Sequence, residues 1–201
     1  SDTKPRLIVL IPDFHNPLGV SLSDEQRQRA AALAAEYGVP LVEDDAYSPL
    51  RFDTQLAEDG FAALPKPIKA YDEANMVFYI GSFSKVLAPG LRLGWMVVPD
   101  SLYMKVTTMR ESLDLESSQF VQRTAYEYLG RGYLPYHLDA LNAEHQRRWH
   151  ALDAALQKHI ADAAEWTHPT GGLFSWLTLK DRTVDTWALL ETAIKQQCVY
   201  I

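Results

Sequence analysis

The sequence predicts an α/β fold: a mainly parallel sheet with flanking helices, followed by a smaller α+β portion. Apolar runs at residues 7–11 and 39–42 enclose a capped helix, and a third at residues 76–80 ends in a polar loop. Beyond residue 130 the pattern changes to one long helical segment and short mixed elements. Strands that alternate with helices indicate a parallel sheet. We therefore expect a boundary near residue 130, between a parallel α/β portion (1–130) and a connecting helix with a small portion (131–201).

Each element has its own local signal. The unbroken apolar run Leu7–Ile11 predicts a strand buried on both faces, so we expect the chain to begin inside a domain. A turn-rich loop at residues 12–19 follows. Ser23 and Gln26 have the spacing of a capping box, and Gly38 supplies the stop of that helix.

The second apolar run, at residues 39–42, becomes acidic at its carboxyl end. With the first run and the helix it forms a βαβ unit within about forty residues, which requires parallel strands. Residues 53–75 contain Pro65 and Pro67 and predict an irregular surface segment. The third run is the next strand, and Leu91–Val98 predicts a fourth, ended by a proline.

The remaining elements are predicted from caps and from helical periodicity. They are a helix from Asp100 or Ser101 to about Leu115, a helix from Ser117 or Ser118 to Gly130, a helix from Leu134 to about Ile160, a strand at Leu173–Leu179, a helix from Asp185 through Ile194, and the start of a strand at residues 199–201.

Composition limits the classes of function. The chain has 201 residues, of which 47% are hydrophobic and 22% charged, as in ordinary globular proteins. The net charge is −7 and no basic cluster is present, so we expect no nucleic-acid binding through this segment. No apolar run is long enough for a membrane span, so we expect no membrane association. Cys198 is the only cysteine, which excludes an intrachain disulfide and favours the reducing cytoplasm.

Polar residues collect where the predicted parallel strands end. Ligands bind beyond the carboxyl ends of such strands. The candidate side chains of the three loops are Asn16 in the first, Asp44, Asp45 and Tyr47 in the second, and Ser82, Ser84 and Lys85 in the third. Each alone has an ordinary interpretation: a turn former, a solvated loop, a packed ring or a solvated lysine.

Lys85 and Arg92 give the third loop its chemical character. A lysine at a strand end can be desolvated by the sheet, which lowers its pKa and frees the amine for Schiff-base chemistry. Arg92, between Leu91 and Leu93 in a predicted strand, requires an anionic partner. Hydroxyl groups and an arginine suit a phosphate monoester. An amine, a phosphate grip, a carboxylate and phenolate donors together meet the requirements of pyridoxal phosphate (PLP).

Three linked motifs carry a family resemblance. They are Asn16-Pro17-x-Gly19, then Asp44-x-Ala46-Tyr47, then Ser82-Phe83-Ser84-Lys85-x-x-x-Pro89-Gly90-x-Arg92-x-Gly94-Trp95. In residues, order and spacing they resemble the class I and II aminotransferases of PLP fold type I. Pro169-x-Gly171-Gly172-x-Phe174 resembles the family's small-domain strand entrance, so the resemblance covers the whole chain. Within the family, the chain is most similar to the branch of 2-aminoadipate and kynurenine aminotransferases.

The resemblance implies an enzyme that moves an amino group between an amino acid and a 2-oxo acid by ping-pong chemistry, as a homodimer. It implies that Lys85 forms the Schiff base with PLP and then shuttles the substrate proton. Asp44 would pair with the pyridinium nitrogen, whereas Asp45 falls on the opposite face of the strand and has no cofactor role. The remaining contacts would be Asn16 and Tyr47 to the phenolate, and Ser82, Ser84 and Arg92 to the phosphate.

The resemblance also implies that the chain is a fragment. The family's glycine-rich phosphate loop, ring-stacking aromatic residue and partner-subunit tyrosine precede the first motif. The arginine that grips the substrate's α-carboxylate follows the final small-domain strand. We therefore expect residues 1–130 to be the second half of the PLP-binding large domain and residues 131–201 to be the connecting helix and part of the small domain. Alone, this segment should bind PLP weakly and be nearly inactive.

Two other functions remain open. Effector domains of GntR/MocR-type transcription regulators resemble aminotransferases but sense PLP behind an N-terminal DNA-binding domain. The Asn16-Pro17 pair favours the enzyme because those regulators usually have His-Gln in this loop, although His15 keeps the alternative open. A catalytically silent α/β domain is the third hypothesis.

Overall fold

A computed structural model describes residues 5–52 and 64–196. Four strands form one sheet in chain order: β1 (Ile8–Leu10), β2 (Leu41–Asp45), β3 (Val77–Ser82) and β4 (Gly94–Val97). The first three are parallel and β4 is antiparallel to β3, so the predicted α/β fold with a mainly parallel sheet is confirmed. Cys198 and the predicted strand start at residues 199–201 lie outside the described residues.

The helix α1 (Asp24–Tyr37) connects β1 to β2 as predicted. Its capping box is present: Gln26 N donates to Ser23 Oγ at 3.2 Å, and Ser23 N donates to Gln26 Oε1 at 2.8 Å. Gly38 ends the helix with a φ of 61°, a conformation that favours glycine. Buried alanines of α1 pack on the apolar residues of β2 and β3, which fixes the helix against the sheet.

Two strands differ from their predictions. β1 is the edge strand of the described sheet and Val9 is 60% exposed, so the expectation of burial on both faces is wrong for this structure. The fourth strand begins at Gly94 rather than Leu91, because Pro89–Leu91 form a 3₁₀ turn and Arg92 adopts a left-handed φ of 50°. The short connection from β3 explains why β4 is antiparallel, since a parallel partner needs a longer crossover.

The later elements are mostly helical. They are α2 (Tyr103–Leu113), α3 (Gln119–Gly130), α4 (Tyr133–Ile160), the antiparallel pair β5 (Ala164–Trp166) and β6 (Leu177–Leu179), and α5 (Thr186–Lys195). Ser118 and Asp185 cap α3 and α5 as predicted. The predicted strand at 173–179 is confined to its last three residues, and β5 was not predicted. No helix among residues 5–52 and 64–196 is long and apolar enough to cross a membrane.

The predicted irregular segment at residues 53–75 is only partly described. A 3₁₀ turn at Ile68–Tyr71 packs on the sheet, and Ile68 is fully buried. The Glu43 carboxylate accepts hydrogen bonds from Ile68 N (2.7 Å) and Lys69 N (2.8 Å). Ile68 is therefore a core residue, whereas exposed residues such as Lys66, Ala70 and Glu73 agree with the predicted surface segment. Residues 53–63 lie outside the described part of the chain.

The segment 167–175, before β6, is docked on the loops that follow β1 and β2. Phe52 N donates to Thr170 O at 2.9 Å, and Gly172 N donates to the Leu50 carbonyl. Thr167 Oγ1 donates to Leu18 O at 2.8 Å. The later part of the chain therefore directly holds the loops at the carboxyl edge of the sheet. The boundary near residue 130 stays a prediction.

Candidate functional site

The three candidate loops leave the same edge of the sheet. β1, β2 and β3 are adjacent and parallel, with Leu10 opposite Glu43 and Asp45 opposite Gly81. The carboxyl ends of neighbouring parallel strands therefore bring the three sets of polar residues to one region, which is where ligands bind in such sheets.

Asn16 lies at the tip of a tightly closed loop. Leu22 N donates to Pro12 O (2.8 Å), and His15 N donates to Val20 O (2.8 Å). The side chain of Asn16 is exposed and its peptide bond to Pro17 is cis. Gly19 has a φ of 67°, and a Cβ there would collide with the Phe174 carbonyl oxygen. The loop is thus closed at its base, packed at its side and open at the tip that carries Asn16.

The adjacent acids of β2 have different surroundings. Asp45 accepts hydrogen bonds from Ser48 N (3.1 Å), Ser48 Oγ (2.8 Å) and the Tyr79 hydroxyl (2.7 Å). Its carboxylate is therefore satisfied by hydrogen bonds within the protein. Burial, followed by the negative charge of Asp45, raises the pKa of Tyr79 far above its usual range. Asp44 is half-buried, and no described residue donates a hydrogen bond to it or forms an ion pair with it.

The Asp44 carboxyl is electrostatically unsatisfied. Burial, and then the negative charge of Asp45, raise the pKa of Asp44. A nearby cation would reverse this shift, because an opposite charge favours the ionised carboxylate. The surroundings of Asp44 therefore suit a cationic group of a ligand, such as a protonated pyridine nitrogen.

Tyr47 is both a packed ring and a polar candidate. It is buried in a cluster with Phe14, Leu50 and Val86, and its ring meets the Phe174 ring edge-on, with 5.6 Å between centroids. No hydrogen bond to its hydroxyl is formed by the described residues. The packing fixes the ring, and the hydroxyl is available to a ligand.

The third loop departs from the sequence-based expectation at two residues. Ser84 N donates to Ser82 Oγ at 3.1 Å, which tightens the turn before Lys85. Lys85 is exposed, so the desolvation predicted for it is wrong within the described residues. Arg92 is not inside an apolar strand but exposed on a turn, where Nη1 donates to Pro89 O at 3.3 Å, so it does not require a buried anionic partner.

The donor set at this edge fits PLP. It contains a carboxylate without a cation, a phenol and an amide for an anionic oxygen, a primary amine for an aldehyde, and two hydroxyls with a guanidinium for a phosphate. No group of three metal-ligating side chains occurs in the part of the chain that the structure describes.

Sequence reasoning missed the charged network beneath the site. Asp13 is buried and forms ion pairs with Arg27 and Arg51. The spacing of Arg27, Ala31 and Ala34 places the arginine on the buried face of α1. A buried arginine needs a carboxylate, so this signal was present in the sequence.

Comparison with known proteins identifies the family of the chain. Residues 1–201 match the family model "Aminotransferase class I and II". Aromatic-amino-acid aminotransferase 1 of Thermococcus litoralis is 36% identical over 198 residues, which are 98% of this chain and 45% of the relative. The chain spans about half the length of the curated relatives it matches.

Solved structures agree in fold. The kynurenine aminotransferase of Pyrococcus horikoshii, in complex with PMP, superposes with a TM-score of 0.87 and 37% identity, covering 96% of this chain and 46% of that one. The α-aminoadipate aminotransferase LysN of Thermus thermophilus superposes with a TM-score of 0.84 and 28% identity, covering 97% of this chain and 48% of that one. The fold is that of PLP fold type I, as the motifs implied.

Transcription regulators are also similar to the chain. YisV of Bacillus subtilis, an uncharacterized HTH-type transcriptional regulator, is 34% identical over 173 residues, which are 86% of this chain and 34% of that protein.

Proposed function

Because this chain belongs to the class I and II aminotransferase family, we propose that the whole protein is a PLP-dependent aminotransferase. It would move an amino group between an amino acid and a 2-oxo acid in two ping-pong half-reactions. The observation that carries the proposal is Asp44: a half-buried carboxyl with a raised pKa and no described cation, at the edge where the three motif loops meet. The kynurenine and aromatic-amino-acid enzymes among its relatives support the reaction class.

The proposed roles follow the chemistry of each side chain. When bound, PLP supplies an electron sink for the bond that breaks at the substrate α-carbon. Asp44 holds a proton on the pyridine nitrogen by pairing with its positive charge. Asn16 and Tyr47 donate hydrogen bonds to the phenolic oxygen. The phosphate contacts are Ser82, Ser84 and Arg92.

Lys85 has two proposed roles. Its amine would hold the cofactor at the aldehyde carbon. As a free amine, Lys85 would accept the proton from the substrate α-carbon and deliver it to the cofactor's aldehyde carbon. Because Lys85 is exposed, its amine is accessible to both the cofactor and the substrate.

The direct test is a half-reaction with the full-length protein. PLP-loaded protein and a panel of aromatic, branched and acidic amino acids should release the corresponding 2-oxo acid. Asp44→Ala should keep the cofactor but lower kcat by at least about 100-fold, because a preorganised charge at the reacting group is lost. Asp162→Ala, which removes an exposed carboxylate outside the site, is the control. Near-normal turnover of Asp44→Ala would refute the role of this residue.

A regulator that senses PLP is the second candidate, and the similarity to YisV supports it. Specific DNA binding by the full-length protein, with PLP bound but no 2-oxo acid released from any amino acid, would favour this alternative. We further propose a homodimer for the whole protein and a cytoplasmic location, which the presence of one cysteine in 201 residues favours.

A further inference from the structure

A single buried carboxylate joins two of the candidate loops. The Asp13 side chain is 2% exposed and lies three residues before Asn16. Its Oδ1 is 2.9 Å from Arg27 Nη2, on α1, and 3.1 Å from Arg51 Nη1, in the loop after β2. One oxygen atom therefore pairs with cations from two different elements: it accepts a charge-assisted hydrogen bond from Arg51 and forms an ion pair with Arg27.

Arg27 fixes the base of the Asn16 loop. Besides its ion pair with Asp13, it donates through Nε to Leu22 O at 3.1 Å and through Nη2 to Pro12 O at 3.4 Å. Pro12 and Leu22 are the two ends of this loop, which are also joined by a backbone hydrogen bond. The pair of Asp13 and Arg27 therefore ties the loop to α1 at its base.

Arg51 extends the connection to the Tyr47 loop. It lies four residues after Tyr47, and its guanidinium carbon is 5.0 Å from the centroid of the Phe14 ring. Phe14, fully buried with a φ of 47°, occupies the space that Cβ atoms on Gly171 and Gly172 would take. Arg51 therefore contacts Asp13 directly and lies against the packed ring of Phe14, which has little freedom to shift.

We propose that Asp13 is a positioning residue that sets the spacing between Asn16 and Tyr47. This inference rests on the proposed function, in which these two side chains hydrogen-bond the cofactor's phenolic oxygen. A buried ion pair is a weak source of stability, since apolar groups of similar volume often replace it without loss. Fixing the distance between two donors, in contrast, requires a directional connection. Asp13 accepts the hydrogen bond of Arg51 and pairs with Arg27, which itself donates to the two ends of the Asn16 loop. Besides its ion pairs with these arginines, the negative charge of Asp13 contributes to the raised pKa of Tyr79 on β3.

The test uses Asp13→Asn in the full-length protein, with two readouts on the bound cofactor. The first is the dissociation constant of PLP after reconstitution of the cofactor-free protein. The second is the pH midpoint at which the visible absorption of bound PLP changes. When Asn16 and Tyr47 are no longer held at the right spacing, they stabilise the phenolate less. We therefore expect the pH midpoint of the absorption change to rise by about one unit. The dissociation constant should rise by about tenfold.

Asp72→Asn is the matched control. The Asp72 side chain is 1% exposed and pairs with Lys69 at 2.8 Å, so it is also a buried, ion-paired aspartate. It accepts hydrogen bonds from Met76 N and Val77 N at the amino end of β3, the edge of the sheet opposite the site. Both substitutions should lower the melting temperature, but only Asp13→Asn should move the midpoint and the dissociation constant.

Arg51→Met is the second variant, for the case in which Asp13→Asn does not fold. It leaves Arg27 paired with Asp13 and keeps an apolar side chain over Phe14, while it removes the link between the loops. A raised midpoint in either variant, with the wild-type value in Asp72→Asn, supports the inference. The inference would be overturned if Arg51→Met and any folded Asp13→Asn had the wild-type pH midpoint and dissociation constant. It would also be overturned if Asp72→Asn shifted the midpoint equally. Wild-type protein that binds no PLP would instead refute the proposed function itself.

Discussion

At the scale of single residues, the site combines a satisfied acid with an unsatisfied one. Asp45 has three hydrogen-bond donors, whereas its neighbour Asp44 has no described partner and a raised pKa. Such an arrangement costs stability in the absence of a ligand and becomes favourable when a cation arrives. This is the stability–activity trade-off expected of a binding site.

The prediction at this scale concerns Asp44→Asn in the cofactor-free, full-length protein. Burial raises the pKa of Asp44 above its unfolded value, so the folded protein holds that proton more tightly than the unfolded chain. Ionisation of Asp44 therefore costs stability as the pH rises from about 4, the unfolded pKa, through the raised folded pKa. Asp44→Asn removes this cost and should be more stable than wild type at pH 7.

Denaturant unfolding at several pH values checks this. The stability advantage of Asp44→Asn should shrink as the pH falls and be near zero below about pH 3, where both side chains are neutral. A variant that is less stable than wild type at pH 7, or an advantage that does not depend on pH, would contradict the account of Asp44.

Residue types at the strand ends could be predicted from the sequence, but their surroundings could not. Asp44 and Asp45 have different surroundings, as the alternation of side chains along a strand predicts, while their roles toward a cofactor stay a prediction. The exposure of Lys85 and the turn at Arg92 were missed. These two features depend on where a strand ends and on which residues cover it. Neither can be predicted from the residues next to them in the sequence. Arg27 was missed although its helical spacing indicated a buried charge.

At the scale of elements, the segment 167–175 fits against the Asn16 loop without spare room. Gly19→Ala should lower the free energy of unfolding by at least about 1–2 kcal/mol, because its φ is left-handed and a Cβ would meet the Phe174 carbonyl. Gly130→Ala is the control: this glycine ends α3, and its Cβ would meet nothing within 4 Å. It should raise stability by up to about 1 kcal/mol. If the two substitutions changed the free energy of unfolding in urea equally, the close approach of Gly19 to the Phe174 carbonyl would be contradicted.

Element predictions succeeded where local chemistry is strong. The capping box of α1, the Gly38 stop and the caps of α3 and α5 depend on side chains close to the helix ends, so the sequence contains them. β5 has three residues, too few for a periodic pattern. The exposure of β1 reflects its position at the edge of the described sheet, which is a property of tertiary arrangement.

At the scale of the whole molecule, convergence of the site follows from topology. Three adjacent parallel strands bring three loops to one edge, and the later part of the chain packs on two of them. The βαβ pattern made this predictable for the first two strands. The contacts of Thr167, Thr170 and Gly172 were not predictable, because they join residues more than 100 positions apart.

The central claim is that Lys85 anchors the cofactor. Full-length protein incubated with PLP and then reduced with borohydride should carry a stable pyridoxyl adduct, which peptide mass spectrometry should locate on Lys85. Lys85→Arg should abolish the visible absorption band and the adduct, whereas Lys105→Arg, at an exposed lysine of α2, should retain both. An adduct on another lysine of the wild-type protein, or one that survives in Lys85→Arg, would contradict the account.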